Sequence, residues 1–513
     1  MKLFLNKFSA SIKGKLSGFD RIVIKGIFKN LNYTDGMFSF LLREHILLKD
    51  FSDYVKNKSM EFKNKSYAYV EKLERPNIYL SSSGIRKKEF AQEIVKKDNI
   101  EKGLICLLKA VEPFYGYAIY KNREKKKLEL VKRERKCLHL YYYWCDDEFG
   151  FCGARIQTWF PYTCYIYLNG REWLERMLIK KNISYTKIDN CFVEIEDYSK
   201  AQNLLNKQLE TNWPEKMNKI ARIINPLYMD FHKKSGLEYY WTIDQSEWAT
   251  DIAFNSEDEL QRLYKTAVKE SISLYSAKDV MRFVGKKLHG NFKGELTGHY
   301  QDRPEGIRVR HSVKNNSIKM YDKHKIILRI ETTINDPSCF KMYRPKEGDD
   351  DKPGIYPVRK SVADVKRRAE ISEKCNQRYL DSLAALKNEE PFNKIISPLC
   401  SPVYYNNRRA RALRPWEEFD SSILKIIGGA EFNLSGFRNK DIRGKLYPAL
   451  DDEKEKKRNA ARISRYLWIL RAHGLIKRIP KTYNYRLTDS GIKIIPAILK
   501  TYDLSMEQLS RAA

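Results

Sequence analysis

The chain has 513 residues, in which 96 lysines and arginines outnumber 65 aspartates and glutamates, giving a formal net charge of +31. Its composition, 42% hydrophobic and 12% aromatic, excludes a disordered tail, a collagen and a low-complexity chain, and its length suits about three or four domains. A positive surplus of this size on folded domains predicts a polyanionic partner, with nucleic acid ahead of an anionic membrane surface.

Several classes of protein are disfavoured by motifs that the sequence lacks. No run approaches about 18 apolar residues, the length of a transmembrane helix, and Asn6 and Lys7 interrupt the apolar start too early for a signal peptide. The nine cysteines are scattered and lack Cys-x-x-Cys spacing, which is typical of a reducing cytoplasm and disfavours a zinc finger. A Gly-x-x-x-x-Gly-Lys-Ser/Thr motif is missing, which disfavours a P-loop motor. We therefore expect a cytoplasmic protein with no membrane partner.

The first segment, residues 1–135, mixes strand and helix patterns and is expected to be an α+β domain. Residues 22–28 and 103–108 are predicted strands, and residues 37–73 carry apolar residues at helical spacing. The charged run at 123–136 indicates either a solvated hairpin tip or linker, or a contact with a nucleic-acid backbone.

Residues 136–235 form a second expected domain, which is rich in aromatic residues. Aromatic runs at 138–144, 149–152 and 162–167 predict an antiparallel sheet with exposed rings, followed by helices. Such rings suit either an ordinary core or a platform on which bases stack, at about 1–3 kcal/mol per base.

Three further segments complete the expected organisation. Residues 236–390 are predicted to form a strand-rich central domain. Residues 391–415 contain four prolines and a basic run and are interpreted as a linker, and residues 416–505 form a last domain.

The last domain is predicted to contain three helices followed by a hairpin. The helices fit residues 417–427, 435–446 and 453–472, and the strands fit 475–479 and 483–487. This order, together with the residues at 462–478 and 485–491, resembles the winged-helix fold of MarR-like regulators. The predicted fold class is therefore α+β and multidomain, with antiparallel sheets in the N-terminal and central domains and a winged helix at the C-terminus.

Basic residues of the last domain are candidate nucleic-acid contacts. Arginines on a helix in the major groove can bind phosphates or guanine edges, and basic residues of a wing can bind the backbone. The candidates are Arg458, Arg462 and Arg465 on the third helix, Lys440 and Arg443 on the second, and Lys481 and Arg486 on the wing. Winged helices also bind RNA or protein, so these partners stay open beside DNA.

Residues 307–336 alternate between apolar and polar in the manner of β-hairpins. Short loops at Asn315-Asn316 and 323–325 predict cross-strand pairs of Val313 with Ile318, Ile318 with Ile330 and Met320 with Leu328. One face is then apolar and includes His311, which is interpreted as structural. The opposite face collects Arg308, Arg310, Lys319, Tyr321, Arg329 and Glu331. One phenol, one carboxylate and four cations are unsuited to a core and suit a phosphodiester.

The string Ser-x-Lys-x-Tyr-x-Lys at 317–323, followed by Arg-x-Glu at 329–331, resembles a motif of the rolling-circle replication initiators of plasmids and filamentous phages. The resemblance implies that Tyr321 attacks DNA and becomes linked to a 5′-phosphate. It also implies that Lys319, Lys323 and Arg329 hold the phosphate and that Glu331 binds a divalent metal, Mg²⁺ or Mn²⁺. Neighbouring cations would favour the phenolate, and the metal would stabilise charge on the phosphate.

The chain departs from that family in its metal ligands. It has no His-hydrophobic-His pair, so further ligands would come from Glu247 and Asp251 or from Glu295, each of which also suits a surface or helix-cap position. An RNase H-like nuclease built on Asp20 and Glu112 is a further hypothesis, since both lie next to predicted strands. No spacing joins these two residues to a third carboxylate.

Three functions follow from these patterns. The favoured hypothesis is a metal-dependent DNA-nicking, replication-initiator or transposase-like endonuclease with a winged helix for site recognition. The alternatives are an RNA-binding protein of a ribonucleoprotein, which would hold a structured RNA, and a non-enzymatic transcriptional regulator. The whole chain also resembles multi-copy bacterial proteins, which implies a mobile element as its source.

Overall fold

The computed structural model describes residues 2–82, 84–273, 283, 296–301, 308–346, 349–385, 392–428, 432, 436–447, 452–479 and 482–502. Within these residues, one sheet of 11 strands forms the largest unit, accompanied by four two-stranded sheets. None of the helices in this part of the chain is both long enough and apolar enough to cross a bilayer.

α-Helices occur from the first to the last part of the chain that the structure describes. The helices up to residue 273 are α1 (Lys2–Lys7), α2 (Thr34–Arg43), α3 (Phe51–Lys72), α4 (Lys87–Asp98), α5 (Gly170–Lys180), α6 (Tyr198–Gln208), α7 (Trp213–Ile224), α8 (Tyr228–Ser235) and α9 (Glu257–Ser273). The later helices are α10 (Val365–Ala385), α11 (Phe392–Ile396), α12 (Glu418–Ile427), α13 (Asn439–Leu446), α14 (Glu453–Ala472) and α15 (Asp489–Thr501).

The described strands form two sets, one of 13 strands before residue 335 and one of six strands after it. The first set is β1 (Ile12–Phe28), β2 (Asn77–Tyr79), β3 (Gly103–Asn122), β4 (Lys127–Asp146), β5 (Gly150–Gln157), β6 (Cys164–Asn169), β7 (Tyr185–Ile188), β8 (Cys191–Ile195), β9 (Tyr239–Phe254), β10 (Leu296–Gln301), β11 (Arg308–Val313), β12 (Asn316–Lys323) and β13 (Ile327–Ile334). The second set is β14 (Lys341–Lys346), β15 (Asp349–Pro357), β16 (Val403–Tyr405), β17 (Arg408–Ala410), β18 (Ile476–Arg478) and β19 (Tyr485–Leu487).

The large sheet has the strand order β10-β11-β12-β13-β9-β1-β6-β5-β4-β3-β2. Its neighbours are antiparallel except for the parallel pair β2–β3. The sheet therefore draws strands from all three of the segments that were expected as separate domains, and residue 135 lies inside β4. The expected boundaries at residues 135 and 235 do not divide one sheet from another.

The two long strands β1 and β9 join the two halves of this sheet. They pair along almost their whole length, although more than 200 residues separate them in the chain. On one side of the sheet, Ile22, Ile24 and Ile166 belong to a core that α2, α3, α7 and α8 cover. Helix α10 covers the same side of β9 and β13, and its apolar residues share a core with Met320 of β12 and Ile330 of β13. The polar side chains of the central strands consequently lie on the opposite side.

The hairpins of β11, β12 and β13 are present, but both registers differ by two residues from the expected ones. The observed pairs include Val313 with Asn316, His311 with Ile318, Ile318 with Thr332 and Met320 with Ile330. The expected partners of Val313, Ile318 and Met320 were therefore wrong. Because strand side chains alternate with a period of two, an even shift leaves every side chain on its predicted face.

The aromatic segment forms an antiparallel sheet as predicted, but most of its rings are buried. Tyr141, Tyr142 and Tyr143 of β4 and Tyr162 after β5 lie in hydrophobic cores. Helix α4 covers β3 and β4 on the side that carries Tyr141 and Tyr143. The prediction of exposed rings is therefore wrong for most of them, which form an ordinary aromatic core, and Tyr167 of β6 is the exposed ring of this segment.

Helices α12, α13 and α14 are followed by the β18–β19 hairpin, which is the order that the sequence predicted, and then by α15. The third helix has the predicted bounds, while α13 begins four residues later than expected. A hydrophobic core whose described buried residues all lie between Ile396 and Ile498 holds this part together. The interpreted linker is partly ordered, since it contains α11 and the β16–β17 hairpin.

Candidate metal centre

Three carboxylates from three neighbouring strands meet on the polar side of the sheet. They are Asp20 of β1, Glu247 of β9 and Glu331 of β13, and one oxygen from each lies within 4.8 Å of the others. Asp20 and Glu331 are buried and Glu247 is half-buried. We call this cluster the acidic triad. Among the described residues it is the group of side chains that could hold a metal ion, and its oxygen donors suit a hard divalent cation.

Asp20 reaches the triad because β1 has one extra residue at that point. Phe19 pairs with Trp248 and Arg21 pairs with the adjacent Glu247, so Asp20 has no partner of its own on β9. A bulge of this kind re-aims one side chain, and bulges are frequent beside functional sites. The Phe19 ring packs on Trp248, with centroids 4.9 Å apart, while Asp20 and Arg21 both lie on the side of Glu247.

Lys319 of β12 lies against the triad. It is paired directly with Glu331, and its Nζ is 2.6 Å from a Glu331 oxygen and 3.8 Å from a Glu247 oxygen. Burial and the charge of Glu331 nevertheless raise the pKa of Glu247 to about 7. Three carboxylates meet here against the one ammonium group of Lys319, so negative charge is in surplus at this place. A bound divalent cation would relieve that surplus, so these residues fit a metal.

Tyr321 is half-buried and lies two residues from Lys319 on the same face of β12. Its cross-strand partners are Arg308 and Arg329. Burial and the charge of Glu331 raise the pKa of the Tyr321 phenol, and the opposing effect of Lys319 and Arg308 is smaller. The neighbouring cations do favour the phenolate, as expected, but burial and Glu331 outweigh them. The same interaction shows that Tyr321 lies close enough to the triad for its charges to act on the phenol.

Arg329 and Asp251 form a buried ion pair behind the triad. Arg329 donates to both carboxylate oxygens of Asp251, at 2.5 and 2.8 Å, and to the Asn190 carbonyl at 2.9 Å. Its Nη1 also lies 3.5 Å from Asp20, and Arg171 binds Asp251 at 2.9 Å. Although burial opposes ionisation, the two arginines lower the pKa of Asp251.

These contacts change two of the expected roles. Arg329 is almost fully buried and engaged by carboxylates, so it is placed to orient Asp20 rather than to hold a phosphate. Asp251 is the counter-ion of two arginines and lies outside the triad, so it is not placed as a metal ligand. The expected ligands Glu247 and Glu331 do belong to the triad.

The remaining candidates of the central strands lie around this site. Arg308 and Arg310 are half-buried and pair with Tyr321 and Lys319 across β11 and β12. Lys323 lies at the end of β12, where its charge acts on Asp251. His311 is buried on the apolar side, 3.4 Å from the Tyr379 hydroxyl, and burial lowers its pKa to about 4, so it is neutral and structural.

The basic candidates of the C-terminal part are mostly at the surface. The exposed ones are Lys440, Arg458, Arg462, Arg465 and Arg486, and Arg443 is half-buried. The Arg462 guanidinium stacks on the Phe419 ring at 3.8 Å, so this arginine also ties α14 to α12. The candidates Lys481 and Glu295 lie outside the described residues.

Two residues of the site were not assigned to it by sequence reasoning. Asp20 was considered only together with Glu112, which lies on β3, four strands away from β1. Lys88 of α4 was not considered, yet burial and the charge of Arg21 lower its pKa, and Asp20 acts on it in the opposite direction. The sequence feature that could have indicated the bulge is Asp20, a polar residue between Phe19 and Arg21, where two strand-forming runs meet.

Comparison of the chain with protein-family models, with curated proteins and with solved structures gives no match.

Proposed function

We propose that the protein is a metal-dependent DNA-nicking enzyme, of the replication-initiator or transposase kind found in mobile elements, with Tyr321 as its nucleophile. The observation that carries this proposal is the position of Tyr321 on the same sheet face as the acidic triad, with Lys319 beside both. Oxygen ligands of this number favour Mg²⁺ or Mn²⁺ over softer metals.

The proposed reaction is an in-line displacement at phosphorus. The Tyr321 oxygen forms a bond to phosphorus while the bond from phosphorus to the 3′ oxygen breaks. The phenol gives its proton to solvent, and the departing 3′ oxygen takes one from solvent. The products are therefore a 5′-phosphotyrosine and a free 3′-hydroxyl. A divalent ion at the triad would supply positive charge to the non-bridging oxygens of the phosphate.

The side chains around Tyr321 control how easily its phenol ionises. Burial and the charge of Glu331 raise the pKa of this phenol, while Lys319 and Arg308 lower it. A cation that neutralises Glu331 removes one of the two raising effects, so metal binding and phenolate formation are coupled. Arg329 contributes indirectly, because it holds Asp20 at the triad from behind.

The C-terminal part supports a separate role in duplex recognition. Helix α14 presents Arg458 and Arg465 to solvent, and β19 presents Arg486. Exposed cations on a helix and a hairpin after it suit contacts to phosphates and groove edges. This division assigns recognition to the C-terminal helices and chemistry to the large sheet.

The test is a cleavage assay on a pool of single-stranded oligonucleotides labelled at the 3′ end, with Mn²⁺ or with EDTA. We expect labelled protein on a denaturing gel only with Mn²⁺, because the nucleophile keeps the 5′ end of the downstream fragment. Oligonucleotides labelled at the 5′ end should instead give free, shortened fragments. Tyr321→Phe and Glu331→Gln should each abolish the labelled protein.

The matched control is Tyr343→Phe, since Tyr343 is an exposed tyrosine of β14 that lies outside the site. Labelled protein that survives Tyr321→Phe would reject the nucleophile. Cleavage without any covalent product would point to a nuclease that uses water at the same triad. Structured RNA that co-purifies, with no cleavage of DNA in any metal, would favour the ribonucleoprotein hypothesis instead.

A further inference from the structure

Three tyrosines lie on the same side of the sheet as the acidic triad, two on the neighbouring strand β6 and one on β9, which also carries Glu247. Tyr167 and Tyr165 of β6 pair with Val23 and Lys25 of β1, and Tyr240 of β9 pairs with Ile27. The alternate residues of β1, such as Ile22 and Ile24, belong to the core on the other side. We call Tyr165, Tyr167 and Tyr240 the tyrosine strip.

Tyr167 is exposed although it lies in the interior of the sheet. It is 41% exposed, and its partner on β5 is Gly153, which has no side chain to cover the ring. Rings on the neighbouring strand β4, such as Tyr141 and Tyr143, are covered on this side by α4. An uncovered ring in the middle of a sheet, beside a site of proposed chemistry, is available for stacking by a ligand.

Cations accompany the other two rings of the strip. The Arg155 guanidinium lies 4.7 Å from the centre of the Tyr165 ring, and the Lys25 ammonium lies 5.3 Å from it. Lys29 lies 5.0 Å from the Tyr240 ring. Arg155 also faces Glu112, at 3.5 Å. Proteins bind single-stranded nucleic acid with aromatic rings, on which bases stack, and with neighbouring cations, which contact phosphates.

The strip begins close to the triad. Arg21 pairs with Glu247, and Val23, the next residue of β1 on this face, pairs with Tyr167. Two residues of a strand span about 7 Å and neighbouring strands lie about 5 Å apart, so Tyr167 is within reach of the nucleotides next to a phosphate at the triad. A duplex would not suit the strip, because its base faces are already stacked inside the helix.

We propose that the tyrosine strip binds the single-stranded DNA that flanks the cleaved phosphate, with a base on Tyr167 and phosphates near Lys25 and Arg155. This inference rests on the proposed function for DNA as the substrate. Binding to the strip does not itself need a metal or Tyr321. The strip and the nicking chemistry can therefore be tested independently.

The test is the binding of a fluorescent single-stranded DNA to the full chain in EDTA, measured by anisotropy. Tyr167→Leu keeps an apolar side chain but removes the ring. We expect the Kd to rise between about 5-fold and 150-fold, the range for the loss of one base-stacking ring. The control is Tyr115→Leu, an exposed tyrosine of β3, which should leave the Kd unchanged. An oligonucleotide with 5-bromouracil should also crosslink to the peptide that contains Tyr165 and Tyr167.

An unchanged Kd for Tyr167→Leu, or crosslinking to other peptides alone, would overturn the strip while leaving the nicking proposal intact. An equal loss of affinity for blunt duplex DNA would also overturn it, since the contact would not be base stacking. Strip-dependent binding that is tighter for RNA of the same sequence would overturn the choice of DNA. Strip-dependent DNA binding without any nicking would support the strip and reject the proposed chemistry.

Discussion

Burial and the neighbouring carboxylates act together to disfavour the ionised form of the Glu247 carboxyl group. Glu331 and Asp20 repel its negative charge, and Lys319 reaches it only at 3.8 Å. The resulting pKa of about 7 lies well above the usual value for glutamate, which is about 4.3. Proton binding at this group is therefore tighter in the folded state than in the unfolded state. Metal binding competes with that proton, so we expect metal affinity to rise with pH up to about neutrality.

Glu247→Gln should change the pH dependence of stability in the absence of metal. Because the folded-state pKa is raised, the stabilising contribution of the protonated carboxyl is complete below about pH 4 and is lost as pH rises through about 7. The variant has no carboxyl group at this position and does not lose the contribution. The difference between its free energy of unfolding and that of the natural chain should therefore shift by about 3 kcal/mol in favour of the variant between pH 4 and pH 8. Urea unfolding of both proteins in EDTA, repeated across this pH range, measures the difference. Parallel pH curves for the two proteins would contradict the prediction.

Arg329 illustrates a buried charge whose partners depend on it. It serves Asp251 and Asp20 at once, so removing it leaves two carboxylates without their main cation. Arg329→Met should lower the free energy of unfolding by about 3–5 kcal/mol at neutral pH, measured by urea unfolding. Arg414→Met breaks an exposed pair with Glu417 and should cost at most about 1 kcal/mol. Equal effects of the two substitutions would show that the buried pair has no special role.

At the scale of elements, the bulge in β1 is what places Asp20 in the triad. Removing residue 20 would make Phe19 and Arg21 adjacent, while their partners Trp248 and Glu247 are already adjacent on β9. The ladder on both sides of the deletion therefore keeps its register and its faces. Asp20 can consequently be deleted without changing the fold of the strand.

Deletion of Asp20 should leave a folded protein, with at most about 2 kcal/mol lost, and should abolish stabilisation by Mn²⁺ and nicking. Thermal unfolding with and without Mn²⁺ measures both stability and metal binding. The control is deletion of Ser17, a buried residue that pairs regularly with Thr250, which should flip the faces of the preceding strand and prevent folding. A Mn²⁺-induced rise in Tm that persists without Asp20 would remove this residue from the metal site.

The C-terminal helices and the central hairpins show which features of an element can be predicted from local sequence pattern. The third C-terminal helix, Glu453–Ala472, was predicted at its observed bounds because its apolar stripe and Gly474 are local signals. The faces of β11, β12 and β13 were predicted correctly although their registers were not. Turn position depends on details such as the positive φ of Lys314, which sequence pattern does not specify. Because the alternation of side chains along a strand is a local property, the predicted faces were correct despite the error in register.

At the scale of the whole molecule, the hydrophobic cores divide the chain near residue 390. Residues from Ile396 to Ile498 form a core of their own, and the large sheet is covered by cores built from residues 4–384. The N-terminal helix joins this larger unit, because Phe4 packs with residues of α10. The proposed recognition and chemistry therefore lie on units with separate cores.

Truncation after residue 391 should leave the metal site intact and remove duplex binding. The shortened chain should retain Mn²⁺-dependent stabilisation in thermal unfolding, and it should form the covalent product with single-stranded DNA. Its affinity for duplex DNA should fall, and so should the salt dependence of that affinity, because the exposed arginines of α14 are lost. The full chain should show two unfolding transitions in calorimetry. One cooperative transition, or loss of Mn²⁺ binding on truncation, would contradict separate units.

The sequence by itself determined the positive surplus, the α+β class, the C-terminal helix order and the polar face around Tyr321. These are properties of composition and of local periodicity, which act over a few residues. Only the tertiary structure brought the acidic triad together, because β1 with Asp20 pairs with β9 across more than 200 residues, and β13 with Glu331 pairs on the other side of β9. Long-range pairing and a bulge of one residue leave little local trace. For the same reason, Arg329 and Asp251 were assigned to chemistry until their burial showed them to be support.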